Sequence, residues 1–296
     1  MTGARTVKVT HPDRVLWPDA GLTKRDLYDY FGAVAETMLA HVRDRPVSLQ
    51  RFRGAVGDGG FFQKEIPKGA PDWVQTAEVP KRGGVVHHVL AQNRETLQWL
   101  AQQGCVTPHV FTSRADRLDR PDRLVIDLDP SEDDFAAVRR AALLCGDALR
   151  ARGLEPFAMV TGSRGIHVVV PLKRTRDVAE VHGWARAFAA ELAAEHPDAL
   201  TTEFYKNKRD DRLYLDVARN GPAQTVVPPY APRPRPGAPV ATPLRWEELE
   251  DDTLRPDGWT LQTILGRLED LGGDPWAGIA KAARALPKSE ANRPRR

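Results

Sequence analysis

Two carboxylates one residue apart close an apolar run, Leu124-Val125-Ile126-Asp127-Leu128-Asp129. Side chains alternate along a strand, so a strand here puts Asp127 and Asp129 on one face and turns Ile126 and Leu128 toward a core. Carboxylates gathered away from water repel each other and each carries a desolvation cost. Hard divalent cations such as Mg²⁺ or Mn²⁺ relieve both, and two such ions about 3.5–4 Å apart are the machinery of phosphoryl transfer. The ordinary alternative is an edge strand with two solvated acids ahead of a turn at Pro130. The pair alone does not separate the two readings.

Other residues suit the same chemistry. Asp216 ends the alternating segment Leu213-Tyr214-Leu215-Asp216, so three carboxylates converge if that strand neighbours the first; taken alone it reads as a solvated strand acid. Thr161-Gly162-Ser163-Arg164-Gly165 offers two hydroxyls, two glycines that let a phosphate approach backbone amides, and a cation, which is the make-up of an anion nest or of a plain hairpin turn. His167 shares a face with Gly165, although a lone histidine is more often structural. Lys206, Arg209 and Arg212 precede Asp216 and supply cations, or form a solvated basic loop. Phe61-Phe62, between glycine-rich 54–60 and Gln63-Lys64, would face opposite sides of a strand. A ring left open beside lysine is a stacking platform for a nucleic-acid base, with core packing as the alternative.

The elements that must position these groups can be read from periodicity. A strand is expected over 7–9, then a helix opened by Thr23 with Asp26 three residues on, a capping-box start, carrying Leu27, Tyr30, Phe31 and Val34 at helical spacing. Strands follow over 47–52, 74–79 and 85–89, and a helix over 94–102. Next comes strand 124–128, then a helix capped near Ser131 and running to about Arg152, with Phe135, Val138, Ala142 and Leu149 on its buried side. Strands 157–160 and 166–170 form a hairpin through 161–165, and helix 178–195 leads to strand 213–217. This β-α-β-β-α-β order is that of a ferredoxin-like or RNA-recognition-like sheet. Proline-rich 228–243 reads as an inter-domain linker, 260–271 as a closing helix, and the terminal basic residues as a disordered tail.

Composition sets the class. At 296 residues, 41% hydrophobic and 28% charged, the chain suits one large soluble domain or two intimate ones. No apolar run approaches the roughly 20 residues that span a bilayer, and no signal-peptide core opens the chain, so a cytoplasmic location and no membrane partner are expected. Cys105 and Cys145 sit in apolar stretches without metal or redox spacing and read as buried reduced thiols. Net charge is only +3, but basic residues cluster at Arg51 and Arg53, Lys81-Arg82, 206–212, Arg233 and Arg235, and 293–296. Such clusters can track a phosphate backbone.

Taken together, the motifs resemble the polymerase domain of bacterial ATP-dependent DNA ligase D, in the archaeo-eukaryotic primase superfamily. The carriers are His11-Pro12-Asp13-Arg14-Val15-Leu16-Trp17-Pro18 with Thr23-Lys24, Phe61-Phe62-Gln63-Lys64, and Asp122-Arg123-Leu124-Val125-Ile126-Asp127-Leu128-Asp129-Pro130. Further carriers are Gly162-Ser163-Arg164-Gly165-Ile166-His167, the Asp216 strand, Gln224-Thr225-Val226-Val227-Pro228-Pro229-Tyr230, and residues 233–243. The resemblance covers nearly the whole chain. Where this sequence has His11, Arg14 and Arg164, the family often has asparagine, lysine and lysine. No KxDG ligase nucleophile motif is present, so the chain resembles a free-standing polymerase domain.

The resemblance implies an α+β primase-polymerase fold, a single domain over 1–285, with the ferredoxin-like catalytic sheet (about 116–285) packed against an N-terminal α/β module (about 1–115), and a basic tail at 286–296. It implies a template-directed nucleotidyltransferase that extends primer 3′ ends, often preferring ribonucleotides, in gap filling and end processing during non-homologous end joining. Asp127, Asp129 and Asp216 would hold two divalent cations, Mn²⁺ preferred or Mg²⁺. Phe61, Phe62, His109, Thr161, Ser163, Arg164, His167, Lys206, Arg209 and Arg233 would surround the nucleotide. His11, Arg14 and Lys24 would take a DNA 5′-phosphate, and Lys81 and Arg82 would sit on a DNA-aligning loop. Partners would be gapped or broken DNA, nucleoside triphosphates, Ku and a separate ATP-dependent ligase, in a nucleoid-associated setting. A non-catalytic DNA-end-binding module and a metal-dependent nuclease remain as alternatives from the residues themselves.

Overall fold

Local chemistry sets the first hairpin and helix. In the computed structural model, which describes residues 6–130 and 134–287, β1 (Val15–Trp17) pairs antiparallel with β2 (Leu22–Thr23). Thr23 then caps α1 (Lys24–Ala33), its hydroxyl accepting from the Asp26 N–H while the Asp26 carboxylate accepts from the Thr23 N–H at 2.7 Å. This reciprocal pair satisfies two of the donors that a helix start leaves open. The strand expected over 7–9 does not form. Its polar groups go to side chains instead, the Val7 carbonyl accepting from the Tyr28 hydroxyl and the neighbouring Thr10 N–H donating to Gln102 Oε1.

After α2 (Ala35–Val42) come β3 (Pro46–Arg51), β4 (Phe61–Gln63), β5 (Thr76–Lys81), β6 (Gly84–Leu90), α3 (Arg94–Gln102) and β7 (Cys105–Phe111). They form a sheet of order β7-β3-β6-β5 in which the second half of β3 pairs with β4. Asn93 caps α3 by accepting from the Thr96 N–H at 2.8 Å. The buried side chains of α3, including Leu97, Trp99 and Leu100, pack against α1 and β7.

The next elements are β8 (Arg123–Asp129), α4 (Phe135–Ala151), β9 (Phe157–Val160), β10 (Ile166–Pro171), α5 (Val178–Glu195), β11 (Leu200–Thr201) and β12 (Leu213–Asp216). This is the expected β-α-β-β-α-β order with a short extra strand, β11, parallel to β12. The sheet runs β11-β12-β8-β10-β9, with α4 and α5 packed on it. Leu128 and Ile126 are fully buried, as are Val138, Ala142 and Leu149 of α4, whereas Phe135 is half-buried. Asp134 caps α4, accepting from the Ala137 N–H at 2.9 Å; the cap expected near Ser131 lies outside the described residues, as does the tail from 288. Beyond the end of β12, the buried Asn220 amide continues the ladder, donating to the Val125 carbonyl at 2.7 Å and accepting from its N–H at 2.8 Å.

The chain divides into two units, one of residues 1–116, 225–242 and 259–272, the other of 117–224, 243–258 and 273–296. Residues 225–242 and 259–272 group with the N-terminal unit. There, β13 (Thr225–Val226) pairs with β7, and α6 (Ile264–Asp270) follows. Residues 228–243 are not a linker. The non-proline N–H groups are used, Tyr230 to Ala241 O at 2.7 Å, Arg233 to Pro239 O at 2.7 Å and Ala241 to Ala231 O at 3.0 Å, and Tyr230, Ala231, Ala238 and Val240 are buried. The closing helix is shorter than expected because the Thr263 hydroxyl takes the Thr260 N–H in a turn. Among the described residues no helix is long and apolar enough to cross a membrane. Both cysteines are buried, and burial pushes the Cys145 thiol up to about 12.

Candidate active site

Strand register assembles the acids. Asp127, on central strand β8, stands opposite Asp216 on β12 and opposite His167 on β10. Directly opposed residues on antiparallel strands share a face, so one surface carries Asp216, Asp127 and His167 in a row. Asp129, two residues along the same face, is opposite Tyr214. Asp127 is 8% exposed, with His167 Nε2 at 3.4 Å from one carboxylate oxygen and Arg219 Nε at 3.9 Å from the other. Asp216 Oδ1 accepts from the Ala218 N–H at 2.8 Å. Burial first, and then the charge of Asp127, raise the Asp129 pKa above the usual carboxylate range; Asp216 adds to this, while Arg164 and His167 oppose it.

The hairpin turn at 161–165 is closed from within. The Thr161 N–H donates to the Gly165 carbonyl at 3.0 Å, and the Gly165 N–H donates to the Thr161 hydroxyl at 3.3 Å. Gly162 sits at φ +65°, and a Cβ on Gly165 would lie 2.3 Å from the Leu128 carbonyl oxygen. Glycine at 165 is therefore what lets the turn run against the end of β8. Ser163 is half-buried, and Arg164 reaches solvent.

Two predicted cations differ in use. Lys206 is exposed, whereas Arg209 is buried, with Nε on the Glu203 carbonyl at 2.9 Å, Nη2 on the Phe204 carbonyl at 2.6 Å, and its guanidinium 4.1 Å from the Tyr214 ring centroid. Arg209 braces the loop before β12. Arg212 also turns inward, donating to the Arg209 and Lys208 carbonyls.

The N-terminal unit carries the remaining predicted residues. Phe61 is 37% exposed with the guanidiniums of Arg51 and Arg53 at 5.6 and 5.3 Å from its ring centroid. Phe62, on the opposite side of β4 and 57% exposed, meets the His109 ring edge-on at 5.1 Å. Gln50 lies opposite Phe62 and Ser48 opposite His109, so β3 holds the pair together, with His109 Nε2 at 3.4 Å from Gln50 Oε1. Arg233 is tied through its backbone, its carbonyl accepting from Trp17 Nε1 at 3.2 Å. Lys81 ends β5 and Arg82 lies in the exposed turn to β6, with Gly83 at φ +80°.

A second cationic group lies around β1. Arg14 donates its N–H to the His11 carbonyl at 3.2 Å, and Lys24 donates its own N–H to the Arg14 carbonyl at 2.8 Å. Lys24 is 3% exposed and donates from Nζ to the Thr10 carbonyl at 2.8 Å. Burial, then the charges of Arg14 and Arg51, lower its pKa to about 8. Arg51 thus joins Arg14 and Lys24, and His11 lies exposed at the preceding turn with φ +52°.

Among the described residues, no three His, Cys, Asp or Glu side chains are already disposed as a metal-ligand set. Asp127 is turned to His167 and Arg219, and Asp216 to a backbone N–H. The donor chemistry nevertheless fits a hard cation: three carboxylates share one sheet face, and burial followed by the charge of Asp127 raises the Asp129 pKa.

Four residues around this face were not anticipated. Arg219 follows Asp216 by three residues in the turn after β12, a position that only the fold brings back to Asp127. Tyr214 reads from the sequence as an ordinary strand residue. Phe204-Tyr205-Lys206 repeats, within the chain, the aromatic-aromatic-cation grouping of Phe61-Phe62-Gln63-Lys64, and that was the available signal.

Residues 23–276 match the family model described as LigD, primase-polymerase domain. The chain is 32% identical over 274 residues to the multifunctional non-homologous end joining protein LigD of Mycolicibacterium smegmatis, covering 90% of this chain and 35% of that protein. It is 30% identical over 269 residues to the bifunctional non-homologous end joining protein LigD of Bacillus subtilis, covering 90% of this chain and 43% of the relative. The chain thus spans about a third to two-fifths of these curated relatives. Among solved structures, it superposes on the polymerase domain from Mycobacterium tuberculosis ligase D in complex with DNA with a TM-score of 0.88 at 30% identity, covering 95% of this chain and all of that one.

Proposed function

The chain belongs to the LigD primase-polymerase domain family, and from that membership we propose that it is a template-directed nucleotidyltransferase extending primer 3′ ends during non-homologous end joining. The observation that carries the reading is Asp127 opposed by Asp216 and followed by Asp129 on one sheet face. Asp127, Asp129 and Asp216 would hold two divalent cations, Mn²⁺ in preference to Mg²⁺. Such ions, when bound, lower the pKa of a primer 3′-hydroxyl and neutralise phosphate charge.

The protein's own groups do the positioning. His167 and Arg219 flank Asp127 and fix the direction of its carboxylate. Arg164 extends from the glycine turn, where with Lys206 it would meet the charge of a triphosphate and its departing pyrophosphate. Phe61, Phe62, His109 and Arg233 would contact a base and its phosphates. The Thr161 hydroxyl accepts the Gly165 N–H within this turn. With Ser163 it supports a preference for ribonucleotides, through the 2′-hydroxyl.

His11, Arg14 and Lys24, joined by Arg51, would bind a 5′-phosphate at a gap or break, and Lys81 and Arg82 would engage a second DNA end from their hairpin tip. The substrates are accordingly gapped or broken DNA and nucleoside triphosphates, with Ku and an ATP-dependent DNA ligase as partners in a cytoplasmic, nucleoid-associated setting. Primer extension on gapped DNA with labelled nucleotides tests the reading. Incorporation that requires template, nucleotide and divalent cation supports it; DNA binding without incorporation would make the chain an end-binding module, and cleavage without nucleotides a nuclease.

A further inference from the structure

Phe204 is 68% exposed and Tyr205 60% exposed, the highest values among the large hydrophobic side chains that reach solvent in the described residues. The two rings are in edge contact at 5.6 Å, and their loop is held from beneath. Arg209 donates to the Glu203 and Phe204 carbonyls, the Tyr205 N–H donates to the Glu203 carboxylate at 3.2 Å, and the Lys208 N–H donates to the Tyr205 carbonyl at 3.0 Å. A hydrophobic pair so firmly braced has not failed to find a core; it is presented.

Its location relates it to the acid face. Phe204 meets the Tyr214 ring at 6.5 Å, and Tyr214 is the cross-strand partner of Asp129. Around the rings lie Lys206, exposed, and Lys208, whose Nζ is 5.5 Å from the Tyr205 ring centroid. Of the nearby acids, Asp210 is paired with Arg212 at 3.2 Å and Glu203 holds the Tyr205 N–H. Open rings bordered by lysines match a chain of bases linked by phosphates, whereas an apolar protein segment would leave those cations desolvated.

We infer that Phe204 and Tyr205 form a stacking platform for a single-stranded segment of the DNA substrate as it passes the acid face. This deepens the polymerase reading and rests on it for the identity of the substrate. Stacking on such rings is sequence-tolerant because every base has a π-face, and it leaves duplex DNA, whose bases are already stacked, largely unaffected.

The test is fluorescence anisotropy with labelled DNA bearing a single-stranded overhang, without nucleotide or divalent cation, alongside blunt duplex of equal charge. Replacing both residues, Phe204→Ala with Tyr205→Ala, should weaken overhang binding by roughly tenfold or more while changing blunt-duplex binding less than about twofold. Phe204→Trp with Tyr205→Phe should retain wild-type affinity, and Phe204→Leu with Tyr205→Leu should not. A thermal midpoint equal to wild type shows that the variant is folded. Photocrosslinking of an overhang containing 5-iodouracil should mark Tyr205 or Phe204 in the wild-type chain, a readout that does not depend on any variant. Unchanged overhang affinity, equal weakening of duplex binding, full retention by the leucine pair, or crosslinks only elsewhere would each overturn the inference. Wild-type primer extension is measured in parallel: extension with unchanged overhang affinity removes the platform alone, whereas lost overhang affinity in a chain that never extends removes the polymerase reading alone.

Discussion

Asp216 lies directly opposite Asp127 in the antiparallel register of β12 on β8, so two carboxylates from strands distant in sequence share one sheet face without any loop having to place them. The arrangement opposes folding while it prepares a site. Asp129 is forced toward its protonated form by burial and by its acidic neighbours, an effect that would vanish if the site were merely a solvated edge.

The same repulsion should be measurable as stability. Asp129→Asn removes one charge from the face and is expected to raise the thermal midpoint by about a few degrees in metal-free buffer near neutral pH. Added Mn²⁺ should raise the wild-type midpoint and leave that of an Asp127→Ala, Asp129→Asn double variant unmoved. A scanning calorimetry series with and without the ion checks both. Identical shifts in the two chains would place any bound ion elsewhere.

Gly165→Ala puts a methyl group 2.3 Å from the Leu128 carbonyl oxygen, which is backbone and cannot rotate away. The β10 end must lift from β8, at a cost of about 1–3 kcal/mol. Urea unfolding should show that loss, and primer extension should fall with it because the turn moves relative to Asp129. A variant with wild-type stability would mean that the hairpin is looser than its register indicates.

The 5′-phosphate group should respond to pH through Lys24. Its folded pKa, about 8, lies below the ordinary 10.5, so folding disfavours the charged amine. The associated contribution to stability is present above 10.5 and is lost as pH falls through 8. Phosphate binding has the opposite demand, since it needs the charge. The ratio of affinities for 5′-phosphorylated and dephosphorylated gapped DNA should therefore be greatest below about pH 8 and decline toward about pH 9.5. Lys24→Met should flatten the profile and lower the ratio throughout. A wild-type ratio constant across that range would separate Lys24 from phosphate recognition.

Sugar preference is checked by single-turnover incorporation of matched ribo- and deoxyribonucleotides. Ser163→Ala should narrow the difference by roughly tenfold or less, in line with the loss of one hydrogen bond. Equal efficiency with both sugars in the wild-type chain would remove the ribonucleotide reading while leaving nucleotidyl transfer intact.

Much of the acid-bearing sheet was legible because its elements obey short-range rules. The apolar run ending at Asp127, the hairpin at 161–165 and the helix over 178–195 all follow from patterns within a dozen residues. Where long-range burial overrode composition, the sequence misled. Residues 228–243 look like a linker by proline content, yet their few N–H groups find carbonyl partners and their small apolar side chains are enclosed. Strand β7 carries Pro108, a residue that by itself argues against a ladder, yet it stands opposite Leu49 within the β3 pairing. The inward use of Arg209 and the return of Arg219 to Asp127 depend on tertiary distances that no spacing encodes.

Nucleotidyl transfer by the Asp127, Asp129 and Asp216 face is measured most directly as extension of a 3′ primer on gapped DNA by wild type, Asp127→Ala and Asp129→Ala in Mn²⁺. Wild type should extend the primer, and each variant should lose on the order of 10³-fold or more in rate while binding the same DNA within about twofold. Extension by either alanine variant at a rate near that of wild type would contradict the assignment.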